Sequence, residues 1–286
     1  MWHSSVLLLV GFIALLLILE KYRPLRRTRH VLSSRWVTNI AFGVLVVATS
    51  WITVNPAINY AFTFPAWGLL INSSLPITMQ IIIGFLALDL TFYYWHRLNH
   101  EWGLLWRFHQ VHHIDPDMDV TTAWRFHWME IAYSSLFRFL QIALLGVLPQ
   151  TLIVYELVFQ LNTLAHHSNI KLPLKLEKFL ALFFVTPRMH GVHHSVYFNE
   201  SRSNYSSIFN IWDRIHRTLC LYIPQQALTI GLPQFQKLDA NRIGFLMQLP
   251  FKHQSDSGDT AINLADYLQR RNCEQLNSAK KSELAD

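Results

Sequence analysis

From Trp36 to Leu88 the chain carries no Asp, Glu, Lys or Arg. A water-soluble domain needs charge on some exposed face of so long a stretch, so this one requires an apolar solvent. The composition agrees, since 51% of the 286 residues are hydrophobic and 15% charged, an unusual balance for a soluble protein. The chain therefore reads as an integral membrane protein.

A bilayer crossing takes about twenty mostly apolar residues, which places the spans. Residues 4–20 supply the first. With no basic stretch before it and no small-residue cleavage site after it, an uncleaved anchor is expected rather than a signal peptide. A second span runs over residues 36–60 and a third over 76–95. Lys21, Arg23, Arg26, Arg27, Arg29 and Arg35 follow the first span, whereas residues 61–76 carry no charge. The positive-inside rule puts 21–35 in the cytoplasm and, two crossings later, returns the chain to that side. A fourth apolar block, over 131–167, is interrupted by Arg138 and by the stretch from Gly146 to Pro149. Proline breaks or kinks a helix there, so a hairpin returning to the same side is one reading and a single tilted crossing the other. The expected fold is an all-α integral membrane protein of about four transmembrane segments or hairpins, with a cytoplasmic helical cap.

The net charge of +6 points to anionic lipid rather than nucleic acid, because the basic residues sit beside the spans. Cys220 and Cys273 are the only cysteines. Both fall in the predicted cytoplasmic part and are expected as reduced thiols. Past residue 252 the sequence turns polar, as a surface helix with a frayed tail would.

Eleven of the fifteen histidines lie between residues 96 and 194, grouped rather than scattered. His96 and His100 are one helical turn apart and share a face. His109, His112 and His113 follow at i, i+3 and i+4, again read as one face, and His190, His193 and His194 repeat that spacing. Gly103 offers a turn between the first two groups, so two short helices facing each other are expected. Imidazole holds iron, zinc, copper or nickel without carboxylates to balance the charge. One ion takes about three to six ligands, and the three groups hold more, so two ions are implied. A lone HxxxH beside a membrane is commonly an interfacial pair without metal. Three such spacings at the ends of apolar segments differ, because so many unpaired imidazoles are costly to bury and metal satisfies them at once.

Taken in order, LDLTFYYWHRLNH, FHQVHH and MHGVHH followed by NYSSIFNIWDRIHRT resemble the fatty acid hydroxylase and sterol desaturase superfamily of membrane di-iron enzymes. The likeness covers residues from 80 to 218. Its bacterial branch and the alkylglycerol monooxygenases look most similar, through the compact spacing and the run TTAWRFHWME. The resemblance implies His96 and His100, then His109, His112 and His113, then His190, His193 and His194 as metal ligands, with His167 of HHSN as a further one. It implies two iron ions, for which zinc can substitute. It marks His127 and His166 as ligands or as groups behind the ligands, and Asp89, Asn204 and Asp213 as polar residues that orient them. Ser206 and Arg217 stand where the family has glycines, and His216 where an aromatic is usual, which puts the local loop in question rather than the metal. His3, His30, His216 and His253 read as surface residues. The chain then divides into an N-terminal transmembrane region over 1–75, a hydroxylase-like catalytic domain over 76–222 and a polar C-terminal segment over 223–286.

The same resemblance implies an oxygenase that hydroxylates or desaturates a C–H bond of a lipid with an acyl, alkyl, sterol or carotenoid tail. The site is expected at the cytoplasmic face of a bacterial inner membrane. Phe92, Tyr93, Tyr94, Trp95, Trp102 and Trp106 are available to line the lipid's path. A separate electron donor is required, since the sequence has neither a Gly-rich dinucleotide fingerprint nor a CxxC pair. A zinc-dependent membrane hydrolase is the first alternative. It needs a general base beside the metal, yet HExxH is missing and Glu130 is the one nearby candidate. A non-enzymatic metal- or lipid-binding membrane protein is the second, and the clustering of histidines at span ends rather than along a conduit speaks against it.

Overall fold

On either side of a loop over 62–76 the charge-free stretch folds as helix, as an apolar solvent requires, because a backbone without water must bond to itself. The structure, a computed structural model, describes residues 2–28, 32–221, 223–236 and 241–252. Helix α1 (Trp2–Tyr22) comes first. Helix α2 (Leu32–Thr49) then continues through a π-helical turn (Ser50–Val54) into α3 (Asn55–Ala61). The Asn55 amide bonds to the Ser50 carbonyl five residues back. The wide turn takes up the mismatch at Pro56, which has no amide proton to give. Helix α4 (Ile77–Glu101) is the other long apolar rod. Ser33–Ala61 and Ile77–Glu101 are both long and apolar enough to cross a bilayer.

Helix α4 ends where Trp102 turns extended, and α5 (Gly103–His113) sets off in a new direction. The break falls beside Gly103, as expected. The first histidine pair, however, belongs to the last turns of the long α4 rather than to a short helix of its own.

The block over 131–167 is two helices, α6 (Trp128–Leu145) and α7 (Pro149–His167). Pro149 kinks nothing; it opens α7, where its missing N–H would have had no partner in any case. The two helices return to one end. The His109 ring meets Glu130 in the first turn of α6, and the His112 ring meets His167 in the last turn of α7. Between them Gly146 is left-handed at φ 63°. A Cβ built on it would lie 2.5 Å from the Gly68 Cα, and the Leu69 and Leu70 amides bond to the Leu144 and Leu145 carbonyls. The uncharged loop after α3 is thus clasped to the tip of the hairpin. A core of Leu88, Ile142, Leu152, Tyr155 and Ile208 fills the space between α4 and the hairpin. Arg138 faces into that space, paired with Glu156 and donating to Gln141 Oε1 at 2.6 Å.

Two short helices complete the frame of the site, α8 (Leu174–Leu180) and α9 (Pro187–His193). The end of α1 is sewn to the end of α7: the Leu25 amide bonds to the Asn169 carbonyl at 2.8 Å and the Lys171 amide to the Arg23 carbonyl at 2.7 Å. The basic stretch after α1 and the histidines closing α7 therefore stand at the same level. Buried Arg35, in the first turns of α2, makes two bonds to Asp115 and one to Asp119. Arg125 donates to the Val111 carbonyl at 3.1 Å, inside the second histidine box. Burial alone would raise the Asp115 carboxyl, but Arg35 and Arg125 hold it down at about 2.

Two expectations change. Cys220 is disulfide-bonded, not reduced; it is buried against Val192 and Met118, and its partner lies outside the described residues. His216 is half-buried rather than an open surface residue, for it stacks on Tyr93 at 4.7 Å and bonds to the Tyr94 hydroxyl at 2.7 Å. The readings of His30, His253 and the polar tail lie outside the described residues, as does that of the His3 side chain.

Gly146→Ala should lower the thermal unfolding midpoint in detergent by an amount worth well over about 1 kcal/mol. It adds a left-handed side chain and a clash with Gly68. Gly103→Ala, which meets nothing within 4 Å, should leave the midpoint unchanged or raised.

Candidate metal centre

Nine histidine rings meet where α4, α5, α7 and α9 end. His96, His100, His109, His113 and His193 form one group and His112, His167, His190 and His194 the other, with the donor atoms of each group within 4.8 Å of one another. The boxes are divided between the groups by helical phase. Pairs four apart, 96/100, 109/113 and 190/194, stay together on one face. The third member of each HxxHH, His112 or His193, sits on the far side of that face and turns to the other group. The reading of the second and third boxes as single faces is corrected accordingly: each HxxHH serves both groups, while His96 and His100 share one face as expected.

The facing nitrogens of His96 and His193 cannot be partners as they stand. His96 Nδ1 bonds to the Tyr205 carbonyl at 2.7 Å and His193 Nδ1 to the Ser203 carbonyl at 2.8 Å. A carbonyl only accepts, so both Nδ1 atoms carry the proton and both Nε2 atoms of the neutral rings are bare lone pairs. Those two lone pairs face each other at 3.1 Å. His167, whose Nδ1 bonds to the Thr163 carbonyl at 2.8 Å, likewise aims its Nε2 at His112 Nε2 (3.1 Å) and His190 Nε2 (2.9 Å). Nε2 of His100, His109 and His113 and Nδ1 of His112, His190 and His194 are buried without a hydrogen-bond partner. Burial pushes His112, His113, His190, His193 and His194 well below the ordinary histidine range, so protons do not relieve the repulsion. A cation does. Two imidazoles bound at about 2.1 Å and at angles of about 90–109° place their nitrogens about 3.0–3.4 Å apart, which is the spacing found. The residues fit two metal ions.

Four of the nine rings are aimed from outside. Three of the outer acceptors are backbone carbonyls, and the fourth is Glu130, whose Oε1 takes the His109 Nδ1 proton at 2.8 Å. Such an acceptor fixes the tautomer and makes the ring a stronger donor. Phe126 stacks on His112 at 4.3 Å, and Trp106 lies 5.1 Å from His100 and 5.5 Å from His113. Gly191, between His190 and His193, leaves room for the buried Arg26 guanidinium, whose Nη1 would lie 2.3 Å from a Cβ built there. Burial pushes Arg26 down to about 10, so it stays charged.

The remaining sequence-derived residues stand further out. His127 belongs to neither group; its Nδ1 caps α6 at the Met129 amide and its Nε2 bonds to the Met247 carbonyl. His166 is also outside both, its ring tilted against His190 at 4.1 Å and accepting from Asn162 Nδ2 at 3.3 Å. Asp213 takes the Tyr205 and Ser206 amides and so holds the carbonyl that aims His96. Asn204, left-handed at φ 56°, ties Met189 of α9 to Cys220. Asp89 takes the Phe209 amide and the Trp212 indole N–H. Of the six aromatics expected to line a lipid path, Trp106 alone is recorded against histidine rings of the two groups. Phe92 and Trp95 pack on Phe159 and Phe137 of the hairpin, and Trp102 is exposed. Arg217 is left-handed at φ 59°, which explains why a glycine suits that position.

With the geometry in place, the comparison with known proteins is decisive: residues 81–218 match the fatty acid hydroxylase family. The chain carries a fatty acid hydroxylase domain. Both histidine groups lie within that domain. The chain is 27% identical over 232 residues to the ornithine lipid hydroxylase OlsE of Rhizobium tropici, covering 75% of this chain and 66% of the relative. It is 33% identical over 138 residues to human alkylglycerol monooxygenase, 47% of this chain and 29% of the relative. Against methylsterol monooxygenase 1-2 of Arabidopsis thaliana it is 30% identical over 152 residues, 53% and 50% of the two. The matched stretch thus spans from under a third to about two thirds of these relatives. No solved structure matches the chain.

Glu130→Ala should weaken metal binding to the hydroxylase domain by about 10–100-fold in a chelator competition. Glu130→Gln, whose amide oxygen still accepts from His109, should lose less. Arg217→Gly should stabilise the fold by about 0.5–1 kcal/mol, read as a raised unfolding midpoint with metal content unchanged.

Proposed function

We propose that the chain is a membrane-bound oxygenase that holds two iron ions on His96, His100, His109, His113 and His193 and on His112, His167, His190 and His194. It inserts oxygen into, or desaturates, a C–H bond of a lipid. The observation that carries this reading is the pair of all-imidazole groups whose ring nitrogens face one another at 2.9–3.2 Å. When bound, two such ions supply the activation of dioxygen that an unactivated C–H bond needs.

The residues of the chain do the rest. The carbonyls of Tyr205, Ser203 and Thr163 and the Glu130 carboxylate hold four rings with Nε2 turned inward. Trp106 and Phe126 cover ring faces and keep water from them. The three relatives are named for an ornithine lipid, an alkylglycerol and a methylsterol, and what these share is a lipid. A substrate of that class reaches the site from the bilayer, along the apolar helices that end there. Hydroxylation takes two of the four electrons that reduce dioxygen from the C–H bond, and a separate donor supplies the other two. Four membrane segments, α1, the α2–α3 rod, α4 and the hairpin, with the metal site at the cytoplasmic face, complete the reading.

The hydrolase alternative has less support. Its one candidate base, Glu130, spends Oε1 on the outer nitrogen of His109, and both metal-ready groups among the described residues consist of histidine alone.

The test is metal analysis together with turnover on extracted membrane lipids. Two irons per chain and a product that needs both oxygen and reductant are expected. One zinc per chain with oxygen-independent turnover would overturn the reading. His112→Ala and His193→Ala should abolish turnover and lower bound iron. His127→Ala removes a helix cap, at about 0.5–2 kcal/mol of stability, together with the bond to the Met247 carbonyl, and should keep the iron.

A further inference from the structure

Helix α8 is folded inside out. Its one buried side chain is Glu177, whose Oε2 takes the Arg188 Nε proton at 2.6 Å. Leu174, Leu176 and Phe179, with Leu182 and Phe183 just beyond, are exposed large hydrophobics. A surface helix in water turns the opposite way, apolar face inward and carboxylate outward. The orientation is anchored: the Ala181 carbonyl accepts from Asn210 and Arg214, and the Asn210 amide bonds to the Phe183 carbonyl at 2.9 Å. Phe179 and Phe183 pack edge to face at 6.2 Å, and large apolar side chains held outward together call for a partner.

Lysines fringe that face. Lys171, Lys175 and Lys178 are exposed, and Arg23 lies beside Lys171 where the end of α1 is sewn to the end of α7. Between the two segments lies a cavity of about 600 Å³ lined by Tyr22, Arg23, Lys171, Leu174 and Arg188 among others. Apolar side chains inside a cationic fringe are the signature of a segment lying in the interface of an anionic membrane. A second copy of the chain fits less well, because it would set these cations against their own kind.

We propose that α8 lies in the membrane–water interface, and that the cavity beside it takes the phosphate headgroup of an anionic bilayer phospholipid. Phe179, Leu182 and Phe183 then sit among the upper acyl chains, while Lys175 and Lys178 reach headgroup level. The inference does not depend on which metal the histidines hold or on the reaction they support.

The full chain in nanodiscs of phosphatidylcholine and phosphatidylglycerol, three to one, tests it. A photo-crosslinking benzoylphenylalanine in place of Phe179 should give adducts of lipid mass, and the same probe in place of exposed Phe198 should give none. Absence of lipid adducts at 179, or a crosslink there to a second copy, would overturn the interfacial placement. For the headgroup, Arg23→Gln with Lys171→Gln changes two exposed side chains, so folding and iron content should be unaltered. The phosphatidylglycerol retained after detergent exchange, relative to phosphatidylcholine, should fall by about 5–30-fold. An unchanged ratio with iron intact would refute the headgroup site, whereas loss of iron from the parent protein would bear on the oxygenase reading alone.

Discussion

Two bare lone pairs, on His96 and His193, face each other at 3.1 Å in a site whose other histidine rings are buried. Neither ring can turn away, because each is tied by its other nitrogen to a backbone carbonyl. Neither takes a proton cheaply, since burial opposes the charge. The arrangement is thus repulsive without a cation and attractive with one. Much of the polar structure around it exists to keep it so. Asp213 fixes the peptide whose carbonyl aims His96, Asn204 fixes α9 against the segment at Cys220, and the Arg35–Asp115–Arg125 cluster fixes the end of α5. These groups touch no metal-facing nitrogen. They remove the freedom by which the rings would otherwise relax apart.

The two groups are not equivalent. One has five imidazoles, one of them backed by a carboxylate; the other has four, and its recorded outer acceptor is the Thr163 carbonyl behind His167. A carboxylate behind an imidazole pulls the Nδ1 proton more strongly than a carbonyl does and so makes His109 the more electron-rich donor. Glu130 also brings negative charge towards a site that would otherwise set two dications among neutral rings and a buried arginine. A metal held by the four-imidazole group would have one imidazole fewer than one held by the five-imidazole group.

Most of this was legible in the sequence where chemistry repeats at helical spacing. The nine histidines the structure brings together are those the boxes and the HHSN segment pointed to, and Gly103 marked the break between α4 and α5. The hairpin was left open because Pro149 has two meanings, kink or first residue, and only the contact between Gly68 and Gly146 decides between them. The division of each HxxHH between two groups was missed because a spacing of i, i+3, i+4 reads as one face until two groups compete for it. Glu130 was considered as a base facing the metal, when it faces the back of His109; a lone carboxylate carries no sign of its direction. Carbonyl acceptors such as Ser203 and Tyr205 carry no side-chain signal at all. The partners of half-buried His216 were missed for a related reason, since Tyr93 and Tyr94 lie more than a hundred residues away.

The inversion seen in α8 recurs in the hairpin, and the recurrence is what ties site to solvent. There Arg138, Gln141 and Tyr155 are buried, with Gln141 and Tyr155 bonded to the Leu88 carbonyl of α4, while Leu136, Leu140, Leu144, Ile153 and Val154 face outward. Water would reverse that arrangement, since it solvates charge and expels leucine. A bilayer favours it as it stands: polar groups must find partners inside, and apolar ones lose nothing outside. One physical rule therefore governs the helices that lead to the histidines and the short helix that flanks them. The metal-ready rings sit where the rule stops applying, at the level where the chain again exposes arginine and lysine. A lipid whose tail is dissolved among the helices can present a carbon at that level without leaving its own solvent, which is the placement an oxygenase acting on membrane lipid needs.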